Sequence, residues 1–167
     1  MMEGMMPFTI FLATDHAGFH HKNEIKAWLE SEGFAVEDCG AYKHDPLDDY
    51  PDFISAAARA VSVEPLTTRA IIFGGSGQGE AMLANRYRNV RATVYYGGNR
   101  DIIRLSREHN DANILSLGAN FVNVDECKAV IWDWLHTNPL PNEKYQRRIN
   151  KVKGLSRKLY EVLSQEI

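Results

Sequence analysis

Glu80 directly follows Gly74-Gly75-Ser76-Gly77-Gln78-Gly79, a loop whose four glycines leave backbone N–H groups open to an anion. Placed between an apolar strand and a helix start, such a loop cradles negative charge at the positive end of the helix dipole. A carboxylate at its end competes with any anion for the same field, so Glu80 reads either as a favourable partner of the dipole or as a base beside developing charge. Several familiar chemistries are excluded by spacing. A dinucleotide fingerprint needs Gly where Glu80 stands after Gly75 and Gly77, and no acidic residue closes the next strand near Tyr95 to Gly97 to hold a ribose. A phosphate-binding Gly-Lys-Ser/Thr sequence is lacking, and a Gly-x-Ser-x-Gly nucleophile elbow would need Gly in place of Gln78.

The elements that must carry this loop alternate along the chain. Phe8 to Ala13 is a short β-branched and aromatic run, followed by Thr14-Asp15-His16-Ala17-Gly18 and by Ile25, Trp28 and Leu29 at helical spacing. Gly33 ends that helix, Phe34 to Cys39 is a second strand, and Tyr50-Pro51-Asp52 opens an Ala-rich helix through Ala60 with Pro51 in its first turn. Arg69 to Phe73 is the third strand and Glu80 to Arg86 the helix after it. Arg91 to Tyr96 is the fourth strand, a helix covers about 99 to 109, and Ile114 to Leu117 is the fifth strand. Val130, Ile131, Trp134 and Leu135 mark the next helix. From Asn142 a polar helix of about 142–164 carries a thin apolar stripe, Ile149, Val152, Leu155 and Leu159, that needs a partner surface. Five strands alternating with helices predict an α/β protein: a three-layer α/β/α sandwich around an open parallel sheet, with ligands at the carboxyl ends of the strands.

The 167 residues suit a single domain, and the 44% hydrophobic and 25% charged composition suits a globular chain. A net charge of −3 advertises neither a nucleic-acid nor a membrane surface, so an anion site must be local. Cys39 and Cys127, without CxxC spacing, read as packed reduced thiols, which fits the cytoplasm. Met1 to Pro7 lacks the features of a signal peptide.

Three stretches, Asp15-His16-Ala17-Gly18, Gly74 to Glu80 continuing to Ala84-Asn85-Arg86, and Ser106-Arg107-Glu108-His109-Asn110-Asp111-Ala112-Asn113, together resemble the ribose-5-phosphate isomerase B and galactose-6-phosphate isomerase family. Tyr50-Pro51-Asp52 looks like a fourth mark, and the likeness runs from about Phe8 to Val152. Some members of that family carry a Cys just ahead of the glycine loop and others use a Glu at its end. Here Gly74 stands at the Cys position and Glu80 at the Glu position, so the resemblance is to the glutamate-dependent, mycobacterial-like branch.

The resemblance implies a Rossmann-like domain and an aldose–ketose isomerase of sugar phosphates, with ribose 5-phosphate and ribulose 5-phosphate the first choice. Allose 6-phosphate, galactose 6-phosphate or a tetrose phosphate is the alternative, and a non-catalytic sugar-phosphate-binding protein is the rival from another class. Such isomerisation passes a proton between C1 and C2 through a cis-enediolate, which asks for one base and an oxyanion cradle and for neither metal nor redox cofactor. By similarity Glu80 is the base, whose pKa burial must raise, and Ser76 with the N–H groups of Gly75, Gly77 and Gly79 stabilises the enediolate. Asp15 binds hydroxyls or relays protons, and His16 and Tyr50 line the pocket. His109 opens the sugar ring and Asn110 contacts the sugar, both reaching the site from the second subunit of a homodimer in which the C-terminal helix packs across the partner. Whether dimers pair into tetramers is left open. A family Arg-His-x-x-Arg phosphate motif corresponds to Lys144, Tyr145 and Arg148, so two of its positions depart from the pattern. His20, His21, His44 and His136 are expected to be surface groups.

Overall fold

The computed structural model describes residues 8–163, so Met1 to Pro7 lie outside the described residues. Five strands, β1 (Thr9–Thr14), β2 (Ala35–Asp38), β3 (Thr68–Gly74), β4 (Ala92–Tyr95) and β5 (Ile114–Gly118), form one sheet in the order β2-β1-β3-β5-β4. Every pairing is parallel. Among the described residues the α-helices are α1 (Phe19–Ser31), α2 (Tyr50–Val63), α3 (Gln78–Ala84), α4 (Asp101–Asn110), α5 (Val124–His136) and α6 (Glu143–Leu163). The alternation read from the sequence is therefore the observed architecture.

The central strands are mostly apolar because helices cover both faces. All seven residues of β3 are buried, and its neighbours β1 and β5 contribute Ile10, Leu12, Leu115 and Leu117 to one core. That core is closed by α1, α4 and α5 through Ile25, Leu29, Ile103, Val130, Ile131 and Trp134. On the opposite face α2 and α3 cover Ala13, Ala70, Ile72 and Ile114. α2 presents Ile54, Ala57, Ala58 and Val61, an i, i+3, i+4, i+7 spacing that keeps one stripe on the sheet, and its small alanines allow close approach. Each buried Ile or Leu contributes about 1.5–3 kcal/mol relative to exposure.

Chain order reverses between β1 and β3, because β1 leads outward to β2 while β3 leads to the other half of the sheet. This is the switch point at which open parallel sheets leave a crevice at their carboxyl edge. Thr14 ties the two strand ends together, its Oγ1 within bonding distance of the Phe73 carbonyl at 3.1 Å and of the Asp15 carbonyl at 2.9 Å. Beyond β2 the chain stays docked on β1: Cys39 N–H donates to the Leu12 carbonyl, Thr14 N–H to Gly40, and Ala41 N–H to Thr14, all at 2.8 Å. The segment 39–49 therefore returns over the crevice before α2 begins.

α6 is largely exposed along its length. Ile149 is buried, whereas Val152 and Leu155 are about 60% exposed. The Leu159 side chain lies outside the described residues. Half of the predicted apolar stripe is thus left largely exposed. Among the described residues, no helix is long and apolar enough to cross a membrane.

Candidate active site

Eight of the twelve residues singled out from the sequence gather at the carboxyl edge of β1 and β3. Asp15, buried, caps the short turn at His16–Gly18, its Oδ1 accepting from the Ala17 N–H at 3.0 Å. The glycine loop starts at the end of β3 and is clamped by the chain leaving β5. Ala119 N–H donates to the Gly74 carbonyl at 2.8 Å, Asn120 N–H to Gly75 at 3.1 Å, and the Ser116 hydroxyl to Gly77 at 2.6 Å. Gly77, with φ +75, turns the loop into α3 through the left-handed region that other residues enter only with strain. Ser76 Oγ accepts from the Gln78 N–H at 3.3 Å. The Tyr50 ring lies over Gly79, its hydroxyl 3.0 Å from the position a Cβ would take there.

Glu80 sits in the first turn of α3, two residues further into the helix than the sequence placed it, and is only 5% exposed. Its carboxylate occupies the space beside Gly74 where any side chain would project: a Cβ on Gly74 would overlap the carboxyl group itself. Burial pushes the Glu80 pKa above the ordinary carboxylate range and the negative charge of Asp15 adds to the effect, against an opposing backbone hydrogen bond. A carboxyl group raised in this way, within a crevice and beside a loop of backbone donors, is equipped to take a proton and return it.

His16 is tied to a residue that the sequence reading passed over. Asp48 Oδ1 lies 2.7 Å from His16 Nδ1 and also accepts the His16 backbone N–H at 2.9 Å. The Asp48 hydrogen bond raises the His16 pKa, and the charges of Asp15 and Asp48 add to it while burial opposes. Asp48 stands in an acidic stretch with no local signal, and its contact spans 32 residues of chain. Asn120 was likewise missed; its side-chain amide lies against Gly75, 3.1 Å from where a Cβ would stand. His20, His44 and His136 are exposed, as expected. His21 is not a simple surface group: it is half-buried, with Nε2 2.8 Å from the Val122 carbonyl.

The other four residues lie at the opposite edge of the sheet. α4 leaves the carboxyl end of β4 and spans about 15 Å in its ten residues, so its last turn comes back to the amino end. There Arg91, the residue before β4, donates from Nε to the carbonyls of Asn110 and Asp111 at 2.9 Å. Arg107 and Arg91 both pair with the Asp111 carboxylate at 2.8 Å, which fixes the end of α4. His109 stacks on Tyr145 with ring centroids 4.2 Å apart and planes inclined by 25°. The aromatic ring at position 145, a departure from the family motif, thus supports the His109 imidazole. Asn110 and Arg148 line one cavity of about 470 Å³ together with Arg91, Ser106 and Val152. Lys144 is exposed at the start of α6. Within one chain, then, Glu80 and His109 belong to two separate groups.

The family model described as Ribose/Galactose Isomerase matches residues 10–152. The chain is 36% identical over 141 residues to ribose-5-phosphate isomerase B of Mycolicibacterium paratuberculosis, covering 84% of this chain and 87% of that protein. It is 34% identical over 149 residues to ribose-5-phosphate isomerase B of Mycobacterium tuberculosis, covering 89% and 88%. The fold is similar to the crystal structure of ribose-5-phosphate isomerase B from Mycoplasma genitalium with bound ribulose-5-phosphate. The TM-score is 0.85 at 34% identity, over 91% of this chain and 98% of that one.

Proposed function

Since the chain belongs to the ribose/galactose isomerase family and is an aldose–ketose isomerase, we propose that it interconverts ribose 5-phosphate and ribulose 5-phosphate through a cis-enediolate, with Glu80 as the general base. The observation that carries the Glu80 assignment is the steric exchange at Gly74. The carboxylate fills the space a side chain on residue 74 would need, so the base arrives from the end of the loop and not from its beginning. Burial and the neighbouring Asp15 raise its proton affinity above that of a free carboxylate, so one group can both remove and restore the proton at C1 and C2.

In this reading negative charge developing on the substrate oxygens is met by Ser76 and the backbone N–H groups of Gly75, Gly77 and Gly79. Asp15 moves the hydroxyl protons, and His16 and Tyr50 enclose the sugar. The remaining groups come from a second copy of the chain. The partner's His109 opens the furanose, the partner's Asn110 orients it, and the partner's Lys144 and Arg148 hold the phosphate. The separation of the two groups by the depth of the sheet supports a site shared between subunits, as does an apolar face on α6 that its own chain leaves uncovered. Arg148 offers the planar fork suited to phosphate, and Lys144 a point charge.

The test is solvent deuterium incorporation at C2, followed by NMR, for ribose 5-phosphate, allose 6-phosphate and galactose 6-phosphate. Exchange with ribose 5-phosphate that disappears in Glu80→Gln is the expected result. Exchange confined to a six-carbon sugar overturns the substrate assignment. Exchange that persists in Glu80→Gln overturns the base.

A further inference from the structure

We propose that Asp48 is a positioning residue of this site: its carboxylate holds the His16 ring by Nδ1, leaving Nε2 as the nitrogen that meets a substrate oxygen. The role rests on the isomerase reading above and assigns the state in which His16 works.

The argument begins with one oxygen. Asp48 Oδ1 accepts two hydrogen bonds from His16, from the backbone N–H at 2.9 Å and from ring Nδ1 at 2.7 Å, so main chain and ring are fixed together. A carboxylate accepts only, so Nδ1 carries the proton, and the tautomer is set whatever happens at Nε2. The Asp48 side chain is 10% exposed, and its Oδ2 is buried with no hydrogen-bond partner. A carboxylate removed from water in this way requires a counter-charge, and the imidazolium of His16 provides it. The titratable groups around the ring are Asp15 beside it in the chain and Asp48 and His44 on the segment 39–49. The acids outnumber the bases in that set, which favours the charged ring. The His16 ring, about one-third exposed, can therefore present an Nε2–H donor with positive charge to a sugar phosphate.

Asp48→Asn separates charge from shape, since an amide oxygen can still accept both N–H groups. Expected are a retained fold, a His16 imidazole that titrates at lower pH by NMR, and a KM for ribose 5-phosphate at pH 7.5 raised about three- to tenfold. The change in kcat should be smaller, and the alkaline rise in KM should begin at lower pH. A purely structural stitch would alter thermal stability alone; an unchanged His16 titration together with an unchanged KM–pH profile overturns the proposal. His16→Gln is the second arm, and should abolish the alkaline rise of KM; its persistence assigns that rise to another group and also overturns the proposal. Wild-type protein that turns over no sugar phosphate overturns the isomerase reading and this role with it, and the substrate-free NMR titration identifies that outcome separately.

Discussion

Glu80 holds its proton more tightly than a carboxylate in water because it is buried beside Asp15. In its proposed role as base it must be ionised, so kcat/KM should fall as pH drops through its raised pKa, and this acid limb should lie above the range of an ordinary Glu. Glu80→Gln should lower kcat about 10²- to 10⁴-fold in a steady-state assay while sugar-phosphate affinity is kept. The same burial has a consequence for stability. A carboxyl group whose folded-state pKa exceeds its unfolded value destabilises the fold increasingly as pH rises from the unfolded value through the folded one. Glu80→Gln should therefore be more resistant to urea than wild type at pH 7, with the difference shrinking at pH 4. Gly74→Ala tests the geometry: the added Cβ meets the far end of a flexible side chain, which can swing aside. The expected outcome is a loss of turnover of at least about 100-fold with thermal stability nearly unchanged.

Among the elements, the placement of the segment 39–49 depends on a buried pair. Lys22 on α1, fully buried, contacts both oxygens of Asp38 at the end of β2 at 2.6 and 2.7 Å, and the same carboxylate accepts the Gly40 N–H at 2.9 Å. Burial pushes the Asp38 pKa up, but Lys22 and the Gly40 N–H outweigh it and leave the group below its ordinary value. Its contribution to stability is accordingly present above the unfolded-state pKa and lost as pH falls through the folded one. Lys22→Met leaves the half-buried Asp38 carboxylate with only the Gly40 N–H and Lys26, 3.5 Å away, and should cost about 2 kcal/mol in a denaturant titration. The strands were legible in the sequence because burial on both faces writes itself as unbroken apolar runs such as Ala70 to Phe73. The glycine loop was legible because strand, glycines and acid are consecutive. Asp48 was not, since its meaning lies in a bond to a residue 32 positions away, and neither was the partnership of Tyr145 with His109, which joins two helices.

The molecule as a whole divides its candidate site between the two edges of the sheet. In the shared-site reading, Glu80→Gln and His109→Ala are each inactive, yet mixing them through subunit exchange should restore about a quarter of wild-type activity. Half of the dimers are then mixed, and each of these has one intact site of two. No recovery on mixing would place both groups in one chain. Leu155→Glu, on the exposed face of α6, should shift sedimentation toward monomer and remove activity together with association. In the same reading, the separation of Glu80 from the end of α4 by the depth of the sheet would also make turnover depend on abundance. Below the dissociation constant of the dimer, halving the amount of chain leaves about a quarter of the assembled sites. A cell that makes little of this protein would thus carry disproportionately little flux through it, and a dilute assay would underestimate the enzyme.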